Sequence, residues 1–498
     1  MVSITMFAFA SRFYRPSDAC GAHRIGPSNV PDTHGNAAYF LDLASSYTEE
    51  ALKDCGDESP PLCILQAFII TAHCQLTQGV LGTAWRTLGT CVRLAYELNL
   101  HLIDMKCADR SPGIDAKTWC EDEEKRRAWW AIWEMDVFAT TIRRTPTAID
   151  WSQTETMLPA EDEYWFQGRV GPSCYLEMDP ISRWRTLQNS RNQSPKAWYI
   201  VINSFMKDAQ KISSPHGIPS QNQAPDGQLA GATPQAQSAV IDHARQKLES
   251  LGNIVQCFSL ALPSHLRYRN QYLGFDARVP GQSASARQLH CSIYNIYVMT
   301  QLAKLMIHRY NVFGNAASHS GRKTRRAMSA LAEKEWGRSN NRLDDIAMRQ
   351  YLEAADNILT IVNRSCDDHI QHINPFLSFT IWLASAVQLV RRGFCHPGAS
   401  QSLVKSKFEV LNLTYKQCIE FWDIKPAVQQ NLEALEAQLE ACQTRNSGVQ
   451  PASGPAAYGV DKVAPGPHLD EEDTAMFASR DTFKEPRGLD SESRKCII

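Results

Sequence analysis

The chain has 498 residues, 43% of them hydrophobic and 21% charged, an ordinary globular composition with length enough to bury a large core. A formal net charge of −2 excludes any global attraction to nucleic acid or to anionic membranes, so such a contact would need a local basic patch. Fifteen cysteines stand singly, with no Cys-x-x-Cys, which suits a reducing compartment better than a disulfide framework.

Residues 1–36 are rich in Gly, Pro, Ser and His, show little periodicity and are expected to lack a stable fold. The apolar start, residues 1–10, is preceded by no basic residue, which counts against a signal peptide. From about 37 the pattern turns helical. Ala38, Leu41 and Ala44 mark one helix, and Leu62, Leu65, Phe68, Ile69, Ala72 and Leu76 a second, with Pro60-Pro61 just before it. Trp85, Leu88, Val92, Ala95 and Leu98 fall on one face of a third helix, and Asn99 is placed to close it in the left-handed conformation. Thr118-x-x-Glu121 reads as the capping box of a fourth, along which Trp129, Ile132, Trp133, Asp136 and Val137 share a face.

Residues 211–239 form a flexible Pro/Gly/Gln/Ser insertion. Helices resume at about 240–262 and 285–311, a second polar insertion covers 313–345, and further helices follow at about 346–364, 376–391, 400–421 and 426–443. The apolar run Phe376–Val390 is too short to span a bilayer. The tail 444–498 is charged and Pro/Gly-rich and is expected to be disordered. Strand signals are scarce throughout, so the fold class is all-α, a helical body over 37–443 with two flexible polar insertions and disordered termini.

One motif stands out between residues 84 and 159. It comprises Ala84-Trp85, Gly89, Arg93-x-Ala95, Leu98-Asn99-Leu100-His101, Glu124, Arg126-Arg127, Trp129-Trp130, Asp136, Arg144-Thr145-Pro146 and Leu158-Pro159. This pattern resembles the fungal-specific transcription factor domain, the regulatory middle region of zinc-cluster transcription factors. The sequence departs from that pattern at Cys91 (usually Ala), at Asn99 (usually Gly) and at Thr145, which interrupts Gly-Arg-Pro. The resemblance implies a multi-helix regulatory domain in which Trp85, Gly89, Arg93, His101, Arg126, Arg127, Trp129, Trp130, Asp136 and Pro146 are the family's regulatory positions. It also implies a nuclear regulator of RNA polymerase II transcription, shuttling with the cytoplasm where its signals require, with other regulators or co-activators as partners and no membrane association.

The family's DNA-reading unit needs six cysteines to bridge two Zn2+ ions. Before residue 84 only Cys20, Cys55, Cys63 and Cys74 occur, at no suitable spacing. No cofactor is therefore expected in this chain. Zinc and direct DNA contact would enter only with an N-terminal cluster missing from the sequence, and otherwise DNA is reached indirectly.

Trp129, Trp130 and Trp133 are expected to pack the core, with an aromatic ligand pocket as the alternative. Arg93, Arg126, Arg127 and Asp136 suit either a buried ion-pair network joining the third and fourth helices or a solvated face. Cys366, His369 and His372 read as helix-end chemistry rather than a metal site, because further ligands are lacking. Arg322, Lys323, Arg325 and Arg326 suit a nuclear localisation segment or a plain basic loop. Val428, Leu432, Leu435 and Leu439 make a short coiled-coil seam, read as core packing with a homodimer as the alternative. Residues 469–477 mix acidic and bulky apolar side chains as activation segments do. No catalytic motif or phosphate-cradling loop occurs, so the chain is not read as an enzyme. The alternatives to a regulator are a cluster-less scaffold or truncated product that binds other regulators and, less favoured, a helical metabolite-binding enzyme.

Overall fold

The computed structural model describes residues 2–13, 33–105, 115–213, 234–277, 285–317, 342–394 and 399–446. The chain order is α1 (Val2–Ala10), α2 (Thr33–Asp54), α3 (Leu62–Gln78), α4 (Gly82–Glu97), α5 (Ala116–Arg143), α6 (Asp162–Phe166) and α7 (Pro180–Ser190). It continues with α8 (Pro195–Ile212), α9 (Pro234–Ala261), α10 (Ala286–Ala317), α11 (Arg342–Asn363), α12 (Ser378–Phe394), α13 (Ala399–Trp422) and α14 (Ala427–Asn446). The β pairing among the described residues is a lone bridge between Leu273 and Ser365, so the all-α expectation holds.

Local chemistry sets the helix ends. Gly79, at φ 148°, turns α3 back on α4 and donates its amide to the carbonyls of Gln75 and Leu76. Asn99 takes the left-handed conformation expected of it, with φ 54° and ψ 33°. The start of α5 differs from the expected capping box: Asp115, not Thr118, is the cap, and its carboxylate accepts the Thr118 amide at 3.4 Å. An aspartate there both satisfies a free amide and complements the helix dipole.

Two further departures concern helices that were not expected. Residues 2–13, placed in a segment expected to lack a fold, form α1 and a short 3-10 turn packed on α2 and α3. Between residues 166 and 211, where no helix was assigned, α7 and α8 lie, and α8 is buried without a break from Ala197 to Lys207. α1 is apolar on every side and shows no amphipathic period, whereas α8 carries a period as strong as that of α4, so its signal lay in the sequence and was overlooked.

The body is built around α8 and α10, with α9, α11, α5 and α7 packed on them. α5 also bears on α3 and α4, while α12, α13 and α14 form the C-terminal layer. The seam residue Leu432 is buried against Ala386, Leu389 and Phe408, with the partly buried Leu435 and Leu439 beside it, so the row takes part in core packing within the chain. The centres of the two insertions (214–233 and 318–341) and the tail 447–498 lie outside the described residues. So do the basic run Arg322, Lys323, Arg325, Arg326 and the acidic-apolar segment 469–477.

Candidate functional site

The motif of residues 84–159 folds around one side of α5. Arg126 is buried and grips the fully buried Asp104 with both arms of its guanidinium, Nε to Oδ2 at 2.9 Å and Nη2 to Oδ1 at 2.6 Å. Its third nitrogen donates to Glu123 at 3.3 Å. Arg127 donates to Glu123 at 3.0 Å, to Asp162 at 2.6 Å and to the Ala160 carbonyl at 3.0 Å. The carboxylates also accept backbone amides, Met157 on Asp104 at 2.8 Å and Ala160 on Glu123 at 3.0 Å. Trp130 completes the clamp by donating Nε1 to the Met157 carbonyl at 2.7 Å. Two loops, 100–105 and 155–162, are thereby fixed to one helix face. Burial pushes the Glu123 carboxyl above the usual range, opposed by Arg127 and Arg126. Burial alone would lower Arg126, but Asp104 and Glu123 outweigh it and hold the guanidinium charged.

This network differs in membership from the expected one. Arg93 is exposed on α4. Asp136, ten residues beyond Arg126 and so about 15 Å along the helix, instead accepts the amides of Ala148 and Ile149 at 3.2 and 3.1 Å. Trp129, Trp130 and Trp133 are no more than 1% exposed and are core, as expected. Trp85 lies under the Arg143 guanidinium, 4.9 Å from the ring centroid. His101 sits 4.9 Å from Tyr96 and 6.1 Å from Trp129, centroid to centroid. Pro146 is exposed in the turn after α5. A Cβ on Gly89 would meet nothing within 4 Å, and nothing in the structure explains glycine there. The motif is thus largely occupied in holding the fold.

Further along α5, Ala131, Glu134 and Met135, one to two turns beyond Arg127, meet a cavity of about 430 Å3. Phe9 on α1 and Phe13 just after it, His73 on α3, Glu134 on α5, Lys196 on α8, Arg287 and Cys291 on α10, the loop Gln371–Phe376 and Trp422 line it. Its walls are largely aromatic: Phe9 lies 6.0 Å from Trp422 and 5.7 Å from His73, and Phe376 lies 5.0 Å from His73. At one end Glu134 pairs with Lys196 and accepts the Asn374 side-chain amide at 2.6 Å, and Asn374 also donates to the Tyr199 hydroxyl at 3.3 Å. His73 is half-buried at the cavity wall, and burial lowers it to about 4, so its ring is uncharged at neutral pH.

Elsewhere Lys207 is 0% exposed, donates to Thr140 at 3.0 Å and is lowered by burial to about 8. In the 366–372 segment His369 Nδ1 lies 2.6 Å from the Cys366 carbonyl and His372 Nε2 lies 3.5 Å from Asp368, while His369 Nε2 is buried without a hydrogen-bond partner among the described residues. Among the described residues no group of three or more His, Cys, Asp or Glu is placed to hold a metal ion, and the free cysteines do not gather as a two-zinc cluster would require.

Sequence reasoning missed Asp104, Glu134, Lys196, His73, Asn374 and Arg287. Asn374-Pro375 carried a local signal, since Asn before Pro opens a helical turn, and here the Asn374 side chain accepts the Phe376 amide at 3.0 Å. The others come together only through tertiary packing.

Residues 6–212 match the family model described as the fungal specific transcription factor domain, so the resemblance carried by residues 84–159 is confirmed, and the match begins inside α1. The transcription factor tazR of Aspergillus terreus is 30% identical over 104 residues, 21% of this chain and 16% of that protein. The tropolone cluster transcription factor tropK of Talaromyces stipitatus is 27% identical over 157 residues, 31% of this chain and 26% of that protein. The citrinin biosynthesis transcriptional activator mrl3 of Monascus ruber is 26% identical over 148 residues, 28% of each chain. The aligned stretches therefore span 16–28% of these relatives. No solved structure matches the chain. The matched family and these relatives are transcription factors rather than enzymes. Among the described residues no helix is long and apolar enough to cross a membrane.

Proposed function

We propose that this chain, through its fungal specific transcription factor domain, regulates RNA polymerase II transcription in the nucleus of a fungus, coupling partner regulators or a small effector to transcriptional output. The observation that carries the reading is the family match over residues 6–212. The names of two relatives, activators of citrinin and pigment biosynthesis, support a biosynthetic gene set as the target. The cavity behind α5 supports an effector that shifts the population between two arrangements of the helices, which requires that it prefer one of them. Arg322, Lys323, Arg325 and Arg326 serve in this reading as the import segment.

The test fuses the full chain to a heterologous DNA-binding domain in a fungal host and reads a reporter transcribed by RNA polymerase II. A change of reporter output of at least several-fold in either direction is expected. Partner capture with no change in output would replace the regulator by a scaffold. Cytoplasmic retention after changing all four basic residues to alanine is the expected result for the import segment.

A further inference from the structure

We propose that the cavity bounded by α1, α3, α5 and the 371–376 loop binds a flat aromatic carboxylate, its ring against the aromatic walls and its carboxylate on Arg287. The inference rests on the effector reading above and names that effector's chemistry. A volume of about 430 Å3 lies in the range of small-ligand sites, which are mostly apolar with a few placed polar groups. Phe9, Phe376 and Trp422 supply the apolar surface and favour a planar, unsaturated ring, since aromatic pairs gain beyond their buried area.

The charges on the lining choose the sign of the ligand. Lys196 is matched by Glu134, whose other oxygen is taken by Asn374. His372 is tied to Asp368. His73 contributes no charge at neutral pH, because burial lowers it to about 4. Arg287 is the exception. Its Nε donates to the Phe275 carbonyl at 3.0 Å, and among the described residues no carboxylate stands within ion-pairing distance of its two terminal nitrogens. A partly buried guanidinium with its planar fork free is a receptor for a carboxylate, which it can hold by two parallel hydrogen bonds. A cationic ligand finds no open carboxylate, and a neutral one leaves Arg287 unmatched. The His73 ring, facing the cavity without a hydrogen-bond partner among the described residues, offers a polar contact to a hydroxyl or keto group on the ligand ring.

The occupied cavity would join three parts of the chain remote in sequence. Phe9 comes from the N-terminal helix, Glu134 from the motif helix and Trp422 from the C-terminal layer. A ligand seated there favours the arrangement in which these three are packed together, which is the coupling that a regulator needs.

The test measures binding of 2-naphthoate and of its uncharged analogue 2-naphthalenemethanol to the full chain by titration calorimetry. The expected result is at least tenfold tighter binding of the acid. Arg287→Gln should bring the acid down to the affinity of the alcohol, Arg287→Lys should keep most of the preference, and Phe9→Ala should weaken both probes. Equal affinity for acid and alcohol in the unaltered chain, or no binding of either, overturns the proposal without recourse to a variant. An acid preference that survives Arg287→Gln also overturns it. Reporter output from the tethered chain with no naphthoate binding removes the ligand and keeps the regulator. Naphthoate binding without reporter output keeps the ligand and removes the regulator.

Discussion

Arg126→Met removes a charge at nearly constant volume and leaves Asp104, 0% exposed, with its carboxylate buried opposite an apolar side chain. Removing one partner of a buried ion pair costs about 3–5 kcal/mol, because the remaining charge cannot return to water. The lower end applies here: Asp104 keeps the Met157 amide, and Glu123 keeps Arg127. A loss of about 3 kcal/mol is expected, against about 0.5 kcal/mol or less for Arg93→Gln on the exposed side of α4. At about 2 °C per kcal/mol for a large domain, the melting midpoint falls by about 6 °C. Hydrogen exchange with mass spectrometry adds position: the 155–160 segment, whose Met157 and Ala160 amides sit on Asp104 and Glu123, should lose protection first. Adding Asp104→Asn should recover part of the loss, since the buried charge that Arg126 matched is then gone. A midpoint shift below about 2 °C, or a double variant no more stable than Arg126→Met alone, refutes the reasoning.

Three further perturbations follow from buried titratable groups and backbone geometry. Burial lowers Lys207 from 10.5 to about 8, so between those values the unfolded chain holds a proton that the folded one has released, and stability from this group rises with pH across that window. Lys207→Met should flatten that rise by on the order of 3 kcal/mol, read as the difference between the two denaturation profiles from pH 7.5 to 10.5. His73 is lowered from 6.5 to about 4, so its contribution is complete above pH 6.5 and is lost as the pH falls through 4. His73→Phe should therefore resist urea better than the unaltered chain at pH 4.5 but not at pH 7, and an equal gain at both would exclude a titration effect. Asn99 holds φ 54°, so Asn99→Val should cost about 1–2 kcal/mol while Asn99→Gly is nearly neutral, compared by thermal melting.

Elements with one wet face could be located in the sequence. The apolar stripe Leu88, Val92, Ala95 of α4 is buried as its spacing required, and Asn99 ends the helix for the local reason that small polar side chains tolerate the left-handed region. α8 carries as strong a period as α4 and could have been found the same way; what the sequence did not record is that neighbours cover it on every side, leaving Ile200, Val201 and Ile202 all 0% exposed. The capping of α5 was displaced by three residues, since Thr118 and Asp115 are both competent caps and only the path of the chain chooses between them.

The sequence by itself determined the helical class, the placement of the motif on two neighbouring helices, the burial of its tryptophans and the resemblance to a regulatory family. It determined these because periodicity, caps and side-chain type act over a few residues. Tertiary structure alone decided that Arg126 answers to Asp104 rather than to Asp136, and that Glu134, Lys196, Arg287 and Asn374 meet around one cavity. Those partners lie up to 240 residues apart, as Asn374 does from Glu134, and no local period records which distant carboxylate a buried cation will find when the helices close.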